Sequence, residues 1–417
     1  MQLLAVALIT SLVFTTSLLK AQSKKDYLED HRYDLLSDDF NFPAQDFTVV
    51  GFGAVHGSAD TYKAELILLR SLISRGLLAY YIPETNYSQA HFFNKFLQNG
   101  DTALLKELSA WFQTIVVQEG TIETYQHWQN IKKLNDKVPV ANKIEVVGLD
   151  IIEEYKFPIL HILELTESST GSWPVLEKLE EIASTDTTSY RVSSNSYSYK
   201  ILKRFVEDYR VRRAKYQKFI QDTIVFNHLI KNIEYTFLES FERDEVIFNN
   251  YADLSKTYNF ERKRQFAKYG FNHLLKSLER DTPSFFARLV DSIYAHHEVV
   301  TVMGYLTNSE VLWDKIYDEE GNYQTYTIEQ GYGIGDYWKE YFRGIKYLKR
   351  AKLSDITLFR LNATNSPYDQ GTDLVKVNSL FKRAHNRSLH DKSTTDFIDY
   401  AVLISNSKAQ TPIEEMR

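Results

Sequence analysis

A histidine follows a glycine-containing apolar run near the start of the chain. Residues 50–57 read Val-Gly-Phe-Gly-Ala-Val-His-Gly, and a helical pattern that Ser58 or Asp60 can cap comes next. His56 thus lies between a predicted strand and a predicted helix. Ligands bind beyond the carboxyl ends of strands in open parallel sheets, and an imidazole held there can act as a base. The alternative is a loop histidine that is hydrogen-bonded to backbone.

Two further apolar runs end in an acid. Residues 80–83 are followed by Glu84, and residues 147–149 are followed by Asp150. Because the carboxyl ends of parallel strands meet at one edge of a sheet, we expect both acids near His56. A carboxylate beside an imidazole fixes its tautomer and stabilises its protonated form, as in hydrolytic triads. Capping of the next helix is the alternative role for Glu84.

Seven short apolar runs predict the strands that position these residues. They cover residues 47–53, 77–82, 144–149, 299–303, 323–328, 356–361 and 400–404. Helical patterns separate most of them, which predicts an α/β fold with a mostly parallel central sheet flanked by helices. Between residues 155 and 295 the strand pattern disappears. Helical patterns over 199–241 and 260–278 predict a largely helical insertion there.

The composition excludes several classes of protein. The chain has 417 residues, of which 43% are hydrophobic and 25% charged, as in folded globular proteins. A net charge of −6 without a long basic stripe argues against a nucleic-acid partner. The absence of cysteine excludes disulfides, thiolate catalysis and cysteine-ligated metals. No helical pair of histidines has zinc-ligand spacing, so we expect no metal site and no cofactor.

The N-terminal segment resembles a sorting signal. Residues 3–19 form an uncharged apolar run, and Ala21 suits the position before a cleavage site. No Lys or Arg precedes the run and Leu19 is bulky, so an uncleaved membrane anchor is the alternative. We expect export to the periplasm or the medium, with no membrane contact after cleavage. The predicted divisions are a signal peptide (1–21), an N-terminal extension (22–45), the first core part (46–154), the helical insertion (155–295) and the second core part (296–417).

The order of these motifs resembles the erythromycin esterase family. That family has a Gly-Glu-x-x-His-Gly turn after its first strand, then a strand that ends in an acid, then a Gly-x-Asp strand end. Residues 52–57, Glu84 and residues 148–150 match these three features in order. Further matches are Asn94, Asn99, Gly100, Trp111, Glu123, Trp128, Asn135, Arg262 or Arg264 with Asn272, residues 335–339, residues 399–404 and residues 411–412. The similarity covers most of residues 45–412, and residues 47–150 are its most specific part.

The resemblance implies hydrolysis of an ester or lactone by water that the turn histidine activates. It implies His56 and Glu84 as catalytic residues, acting on a small-molecule substrate. The candidate substrate-binding residues are Asp150, a basic residue from Lys63, Arg70 or Arg262, and Tyr305 and Asn308.

Two departures from the family pattern keep a second function open. Gly53 stands where the family has its motif glutamate, and residues 305–308 stand where it has a histidine pair. Such losses cost several orders of magnitude in rate unless other groups substitute. The alternative is therefore a non-catalytic ligand-binding protein on the same scaffold, whereas a haem or metal carrier rests on fold analogy alone. Because His91, His127 and His273 lie in helical patterns, we expect them to be surface or packing residues.

Overall fold

A computed structural model describes residues 23–416 apart from 44–45, 113–115, 168–171, 185–189, 279–281, 331–334, 381–388 and 390. The predicted signal peptide, residues 1–21, lies outside the described residues. Within the part of the chain that is described, no helix combines the length and the apolar content needed to cross a bilayer.

An eight-stranded sheet forms the centre of the protein. The strands in chain order are β1 (Arg32–Asp34), β2 (Val49–Ala54), β3 (Tyr80–Pro83), β4 (Glu145–Val146), β5 (Gln265–Gly270), β6 (Val299–Thr307), β7 (Val311–Tyr317), β8 (Tyr323–Glu329), β9 (Asp336–Tyr337), β10 (Glu340–Phe342), β11 (Ile356–Arg360), β12 (Val377–Ser379) and β13 (Tyr400–Ser405). The order in the sheet is β1-β11-β13-β6-β2-β5-β3-β4. Only β11 pairs antiparallel with its neighbours, whereas the five other pairs are parallel.

Helices cover both faces of this sheet. They are α1 (Lys24–Asp30), α2 (Ala59–Ile73), α3 (Tyr87–Asn99), α4 (Thr102–Trp111), α5 (Ile122–Lys137), α6 (Lys156–Leu165), α7 (Pro174–Ser184), α8 (Tyr197–Tyr216), α9 (Thr223–Tyr235), α10 (Arg243–Tyr258), α11 (Phe285–Ser292) and α12 (Ile345–Ala351). One buried cluster joins the sheet to α2–α5, and a second joins its other face to α10–α12 and α1. The predicted fold class is therefore confirmed. A third cluster, around Trp173, packs α6–α9 together.

The region predicted as a helical insertion supplies a strand at the centre of the sheet. Helices α6–α10 lie in it, but β5 follows them and pairs with β2 on one side and β3 on the other. The predicted helix over 260–278 was therefore wrong. Gln265 and Lys268 are buried polar residues that interrupt the apolar run expected of a central strand, which explains the error. The division of the chain into core and insertion stays a prediction.

Two smaller sheets extend from the carboxyl end of β6. Strands β7 and β8 form an antiparallel hairpin, and β9, β10 and β12 form a three-stranded sheet. The predicted strand 323–328 corresponds to β8, so it belongs to the hairpin and not to the central sheet as we expected. The backbone N–H of Leu312 in β7 donates to Gly57 O at 2.8 Å, which places the hairpin beside the His56 turn.

Candidate functional site

His56 lies at the carboxyl edge of the sheet, between β2 and α2. Ala54, the last residue of β2, pairs with Gly270, the last residue of β5. Strand β3 ends on the other side of β5, where it delivers Glu84 to the same edge. The His56 side chain is 20% exposed, so one part of the ring faces solvent while the rest is enclosed.

Glu119 holds the inner nitrogen of His56. The Nδ1 of His56 lies 2.5 Å from Glu119 Oε1, as a donor to that carboxylate oxygen. Lys268 Nζ donates to the same oxygen at 3.0 Å, and the Tyr62 hydroxyl donates to the other. Burial alone would raise the pKa of Glu119, but Lys268 and His56 outweigh it and lower that pKa to about 2. Glu119 is therefore an ionised, fixed partner of the imidazole.

Sequence reasoning missed Glu119 and Lys268. Glu119 belongs to a short 3-10 helix, Val117–Glu119, in the connection between α4 and α5. No strand ends there, so the rule that placed Glu84 and Asp150 at the sheet edge could not find it. Lys268 lies inside β5, which was predicted as a helix. Lys268 lies two residues before Gly270, the last residue of β5, and this spacing from a glycine is the sequence signal that could have identified it.

Glu84 faces the outer nitrogen of His56. Its Oε2 lies 3.5 Å from His56 Nε2 and accepts the backbone N–H of Gly270 at 3.0 Å. Its Oε1 accepts Arg243 Nη2 at 2.7 Å. Burial alone would raise the pKa of Glu84, but His56, Arg243 and His273 outweigh it and lower that pKa to about 2. The expected proximity of His56 and Glu84 is present, although the carboxylate bonded to Nδ1 is Glu119.

Asp150 reaches the site through Arg243, the first residue of α10. Arg243 donates to both oxygens of Asp150, from Nε at 2.9 Å and from Nη2 at 2.6 Å, in the bidentate geometry that favours Arg over Lys. A parallel bridge between Asn86 and Asp150 holds the Glu84 loop against the loop after β4. Arg243 therefore lies between two buried carboxylates. It is not among Lys63, Arg70 and Arg262, the basic residues that we expected at the site.

His273 is the second imidazole of the site. It lies in a short 3-10 helix after β5, with Nε2 3.9 Å from Glu84 Oε1 and Nδ1 donating to Asp244 at 2.7 Å. Burial alone would lower the pKa of His273, but the bond to Asp244 and the charge of Glu84 outweigh it and raise that pKa. The helix on which we based the expectation of a surface or packing residue is absent, since His273 lies in a turn after β5 and beside Glu84.

The other predicted substrate-binding residues lie elsewhere. Lys63 and Arg70 are exposed on α2, and Arg262 is exposed at the amino end of β5, opposite His56. Tyr305 is buried, and its hydroxyl donates to Leu374 O at 2.6 Å. Asn308 follows β6, where its side chain donates to Asn406 at 2.7 Å. The structure thus brings Asp150 to the site but not Arg70, Arg262 or Tyr305.

The site has the parts of a water-activating centre. His56 is a partly exposed imidazole with an orienting carboxylate on one nitrogen. Arg243 supplies positive charge on the side of the other nitrogen, around Glu84, and the raised pKa of His273 favours the protonated form of that imidazole beside the same carboxylate. A base with an orienting partner and nearby charge for a developing anion is the arrangement that acyl-transfer hydrolysis needs.

Comparison with known proteins shows a shared fold. No family model matches the chain, and no curated protein matches it in sequence. A protein from Bacillus cereus has a similar structure, with a TM-score of 0.59 and 12% identity over 93% of this chain and 98% of that one. A succinoglycan biosynthesis protein has a TM-score of 0.63 and 13% identity over 93% and 97% of the two chains. A mutant of the erythromycin esterase EreC in its open conformation has a TM-score of 0.57 and 12% identity over 88% and 92%. At these identities the likeness shows a distant structural relationship only.

Proposed function

We propose that the protein is a hydrolase that cleaves an ester or lactone, with His56 as the base that activates water. The observation that carries this proposal is the hydrogen bond from His56 Nδ1 to Glu119. Because Glu119 keeps the proton on Nδ1, the neutral ring presents an unprotonated Nε2. That nitrogen can accept a proton from a water molecule.

The reaction then needs one proton transfer in each direction. Water gives a proton to His56 Nε2 while its oxygen bonds to the carbonyl carbon, and the carbonyl electron pair moves to oxygen. When the tetrahedral intermediate collapses, the bond from carbon to the alcohol oxygen breaks and the imidazolium returns its proton to that oxygen. Glu84 lies 3.5 Å from Nε2, where it can accept a hydrogen bond from the O–H that the attacking water keeps and can stabilise the imidazolium.

Two residues compensate for the departures from the family pattern. Gly53 has no carboxylate to offer His56, but Glu119 supplies one from the 3-10 helix Val117–Glu119. His273 supplies a second imidazole next to Glu84 although the residues after β6 do not. Together with Arg243 it offers positive charge to the oxyanion of the intermediate. The structural neighbour named as an erythromycin esterase supports an ester as the substrate class.

The test compares wild type with His56→Ala on a panel of p-nitrophenyl esters and lactones. We expect slow turnover that falls at least a hundredfold in the variant, as loss of a general base does. His91→Ala is the matched control, because His91 pairs with Glu164 near the surface of α3 and not with the site. Equal turnover in wild type and His56→Ala would contradict the proposal.

Ligand binding without turnover is the second candidate function. The ion pairs of the site favour this second function. Arg243 already pairs with Glu84 and Asp150, and Lys268 already pairs with Glu119. Two grooves of about 450 and 530 Å³ are lined by residues other than His56. If wild type turns over none of the panel while a panel compound raises its Tm, this function replaces the first.

We further propose that the chain is exported after cleavage behind Ala21. The composition of residues 3–19 supports this proposal. N-terminal sequencing of the protein recovered from a secreting bacterial host tests it: the mature chain is expected to begin at Gln22, and an intact Met1 would contradict it.

A further inference from the structure

A small cavity lies directly behind the two carboxylates of the site. Its volume is about 20 Å³, and it is bounded by Glu84, Glu119, Lys268, His127 and a wall of rings and aliphatic groups. A space of this size holds one water molecule if enough polar groups face it. His56 does not line it, so the cavity is separate from the solvent-facing side of the imidazole.

His127 lines this cavity and forms a buried pair of ionisable residues with Glu65, and both have unsatisfied polar atoms. Glu65 of α2 is fully buried, and His127 of α5 is 3% exposed. His127 Nε2 lies 3.3 Å from Glu65 Oε1, which also accepts the Tyr81 hydroxyl at 2.6 Å. Glu65 Oε2 and His127 Nδ1 have no hydrogen-bond partner among the described residues, and His127 Nε2 has only its ion-pair approach to Glu65 Oε1. Buried polar atoms almost always have a partner, and ordered water supplies it where protein does not.

Lys268 connects this pair to the site. Its ammonium group carries three donors, and the bond to Glu119 Oε1 uses one of them. Burial alone would lower the pKa of Lys268, but Glu119, Glu65 and Glu84 outweigh it and raise that pKa. The Lys268 ammonium also lies 5.5 Å from the Tyr62 ring centre, and that ring packs on His127 at 4.6 Å. Lys268 is thus bonded to Glu119 on one side and lines the same cavity as His127 on the other.

We propose that the cavity is a buried water site, where Lys268 and His127, with Glu65 behind His127, hold one water, and that this pair of Glu65 and His127 positions Lys268 and, through it, Glu119. Glu65 and His127 are therefore positioning residues of the His56 centre. The consequence for turnover rests on the proposed hydrolase function, but the water site does not.

The physical link runs through one oxygen atom. Glu119 Oε1 accepts from both His56 Nδ1 and Lys268 Nζ. The position of the Lys268 ammonium therefore affects the orientation of the Glu119 carboxylate relative to the His56 ring. If the water no longer holds the ammonium, Lys268 shifts toward Glu119. The bond to His56 Nδ1 then lengthens, and the tautomer that leaves Nε2 free is less favoured.

The first test is a crystal structure of the wild-type protein at a resolution that shows ordered water. We expect one water in the cavity within hydrogen-bond distance of Lys268 Nζ and of either Glu65 or His127. An empty cavity would overturn the water site.

The second test follows the far-downfield proton signal of His56 Nδ1 in NMR spectra. In Glu65→Gln and in His127→Phe we expect this signal to broaden or move, because the ammonium is no longer held. The phenylalanine keeps the ring packed on Tyr62, so it separates the loss of the nitrogens from a loss of packing if Glu65→Gln does not fold. Ser109→Ala is the matched control, since Ser109 is a buried hydroxyl on α4 without a hydrogen-bond partner among the described residues. An unchanged signal in both site variants would overturn the positioning role.

Turnover of an activated ester provides the third readout. In Glu65→Gln we expect kcat to fall about tenfold at nearly constant KM, the effect typical of a group that orients a catalytic partner. If wild type cleaves no ester but the Nδ1 signal responds as expected, the hydrolase proposal fails and the positioning role stands. If wild type is active and Glu65→Gln matches it in kcat and in the Nδ1 signal, the positioning role fails.

Discussion

Replacing Glu119 by glutamine changes the charge on the partner of His56 while keeping its shape. The carboxylate accepts three donors, from His56, Lys268 and Tyr62. An amide has one oxygen and one NH₂ group, so it cannot accept all of them. If its NH₂ group faces the ring, Nδ1 becomes the acceptor and the proton moves to Nε2. The base is then in the wrong tautomer.

The expected loss can be estimated from the structure. The comparable Asp-to-Asn change in a serine protease triad lowers kcat by about 10⁴. Glu119 is only one of two carboxylates near His56, since Glu84 lies 3.5 Å from Nε2, so we expect a loss of about 10³ to 10⁴ in kcat and little change in KM. The pKa of Glu119 is lowered from 4.5 to about 2, which corresponds to roughly 3 kcal/mol of stabilisation of its charged form. The Glu119→Gln variant loses much of this stabilisation, so we also expect its free energy of unfolding to fall.

The assay is steady-state hydrolysis of the best p-nitrophenyl ester, with urea unfolding as a check on stability. Glu123→Gln is the matched control, because Glu123 lies four residues along the chain and accepts the backbone N–H of Thr411 at 2.8 Å. We expect the control to keep wild-type kcat. If Glu119→Gln keeps more than about a tenth of the wild-type kcat, Glu119 does not orient His56 as the base.

Three other perturbations test the charges and the backbone that build the site. Arg243→Leu leaves two buried carboxylates side by side and should lower the free energy of unfolding by about 3–5 kcal/mol in urea titrations, and a change below 1 kcal/mol would contradict the buried ion pairs. Glu84 and Glu119 have folded pKa values of about 2, below their usual 4.5, so their stabilisation is present above pH 4.5 and is lost as pH falls through 2. We expect the free energy of unfolding, measured by urea titration, to fall between pH 7 and pH 3 by about 2–4 kcal/mol more in wild type than in a variant that carries both Glu84→Gln and Glu119→Gln. An equal fall in the two proteins would argue against the lowered pKa values. A Cβ at Gly148 would clash with the carbonyl oxygen of Asn86, so Gly148→Ala should lower the Tm by about 2–4 °C in thermal scans, and an unchanged Tm would rule out this close approach.

Sequence patterns predicted the fold class because most central strands are apolar runs. Residues 299–303 and 400–404 are all buried, so hydrophobicity alone marks them. Strand β5 carries the buried polar residues Gln265 and Lys268, which only tertiary partners satisfy. Gln265, for example, accepts the Tyr251 hydroxyl at 2.8 Å. No local pattern contains that partner, so the strand was predicted as a helix.

The candidate site was predictable to the extent that its residues end strands. His56, Glu84 and Asp150 follow strands or strand-like runs, and the parallel sheet brings them to one edge. Glu119 and Arg243 come from a 3-10 turn and the first turn of α10, which reach the edge only through the packing of helices on the sheet. Sequence spacing carries no information about that packing.

The tautomer of His56 decides whether its outer nitrogen can act as a base. In the wild-type protein labelled with ¹⁵N-histidine, the imidazole nitrogen shifts show which nitrogen carries the proton in the neutral ring. We expect a protonated Nδ1, hydrogen-bonded to Glu119, and an unprotonated Nε2 that faces Glu84 and solvent. A neutral ring with its proton on Nε2 would contradict it.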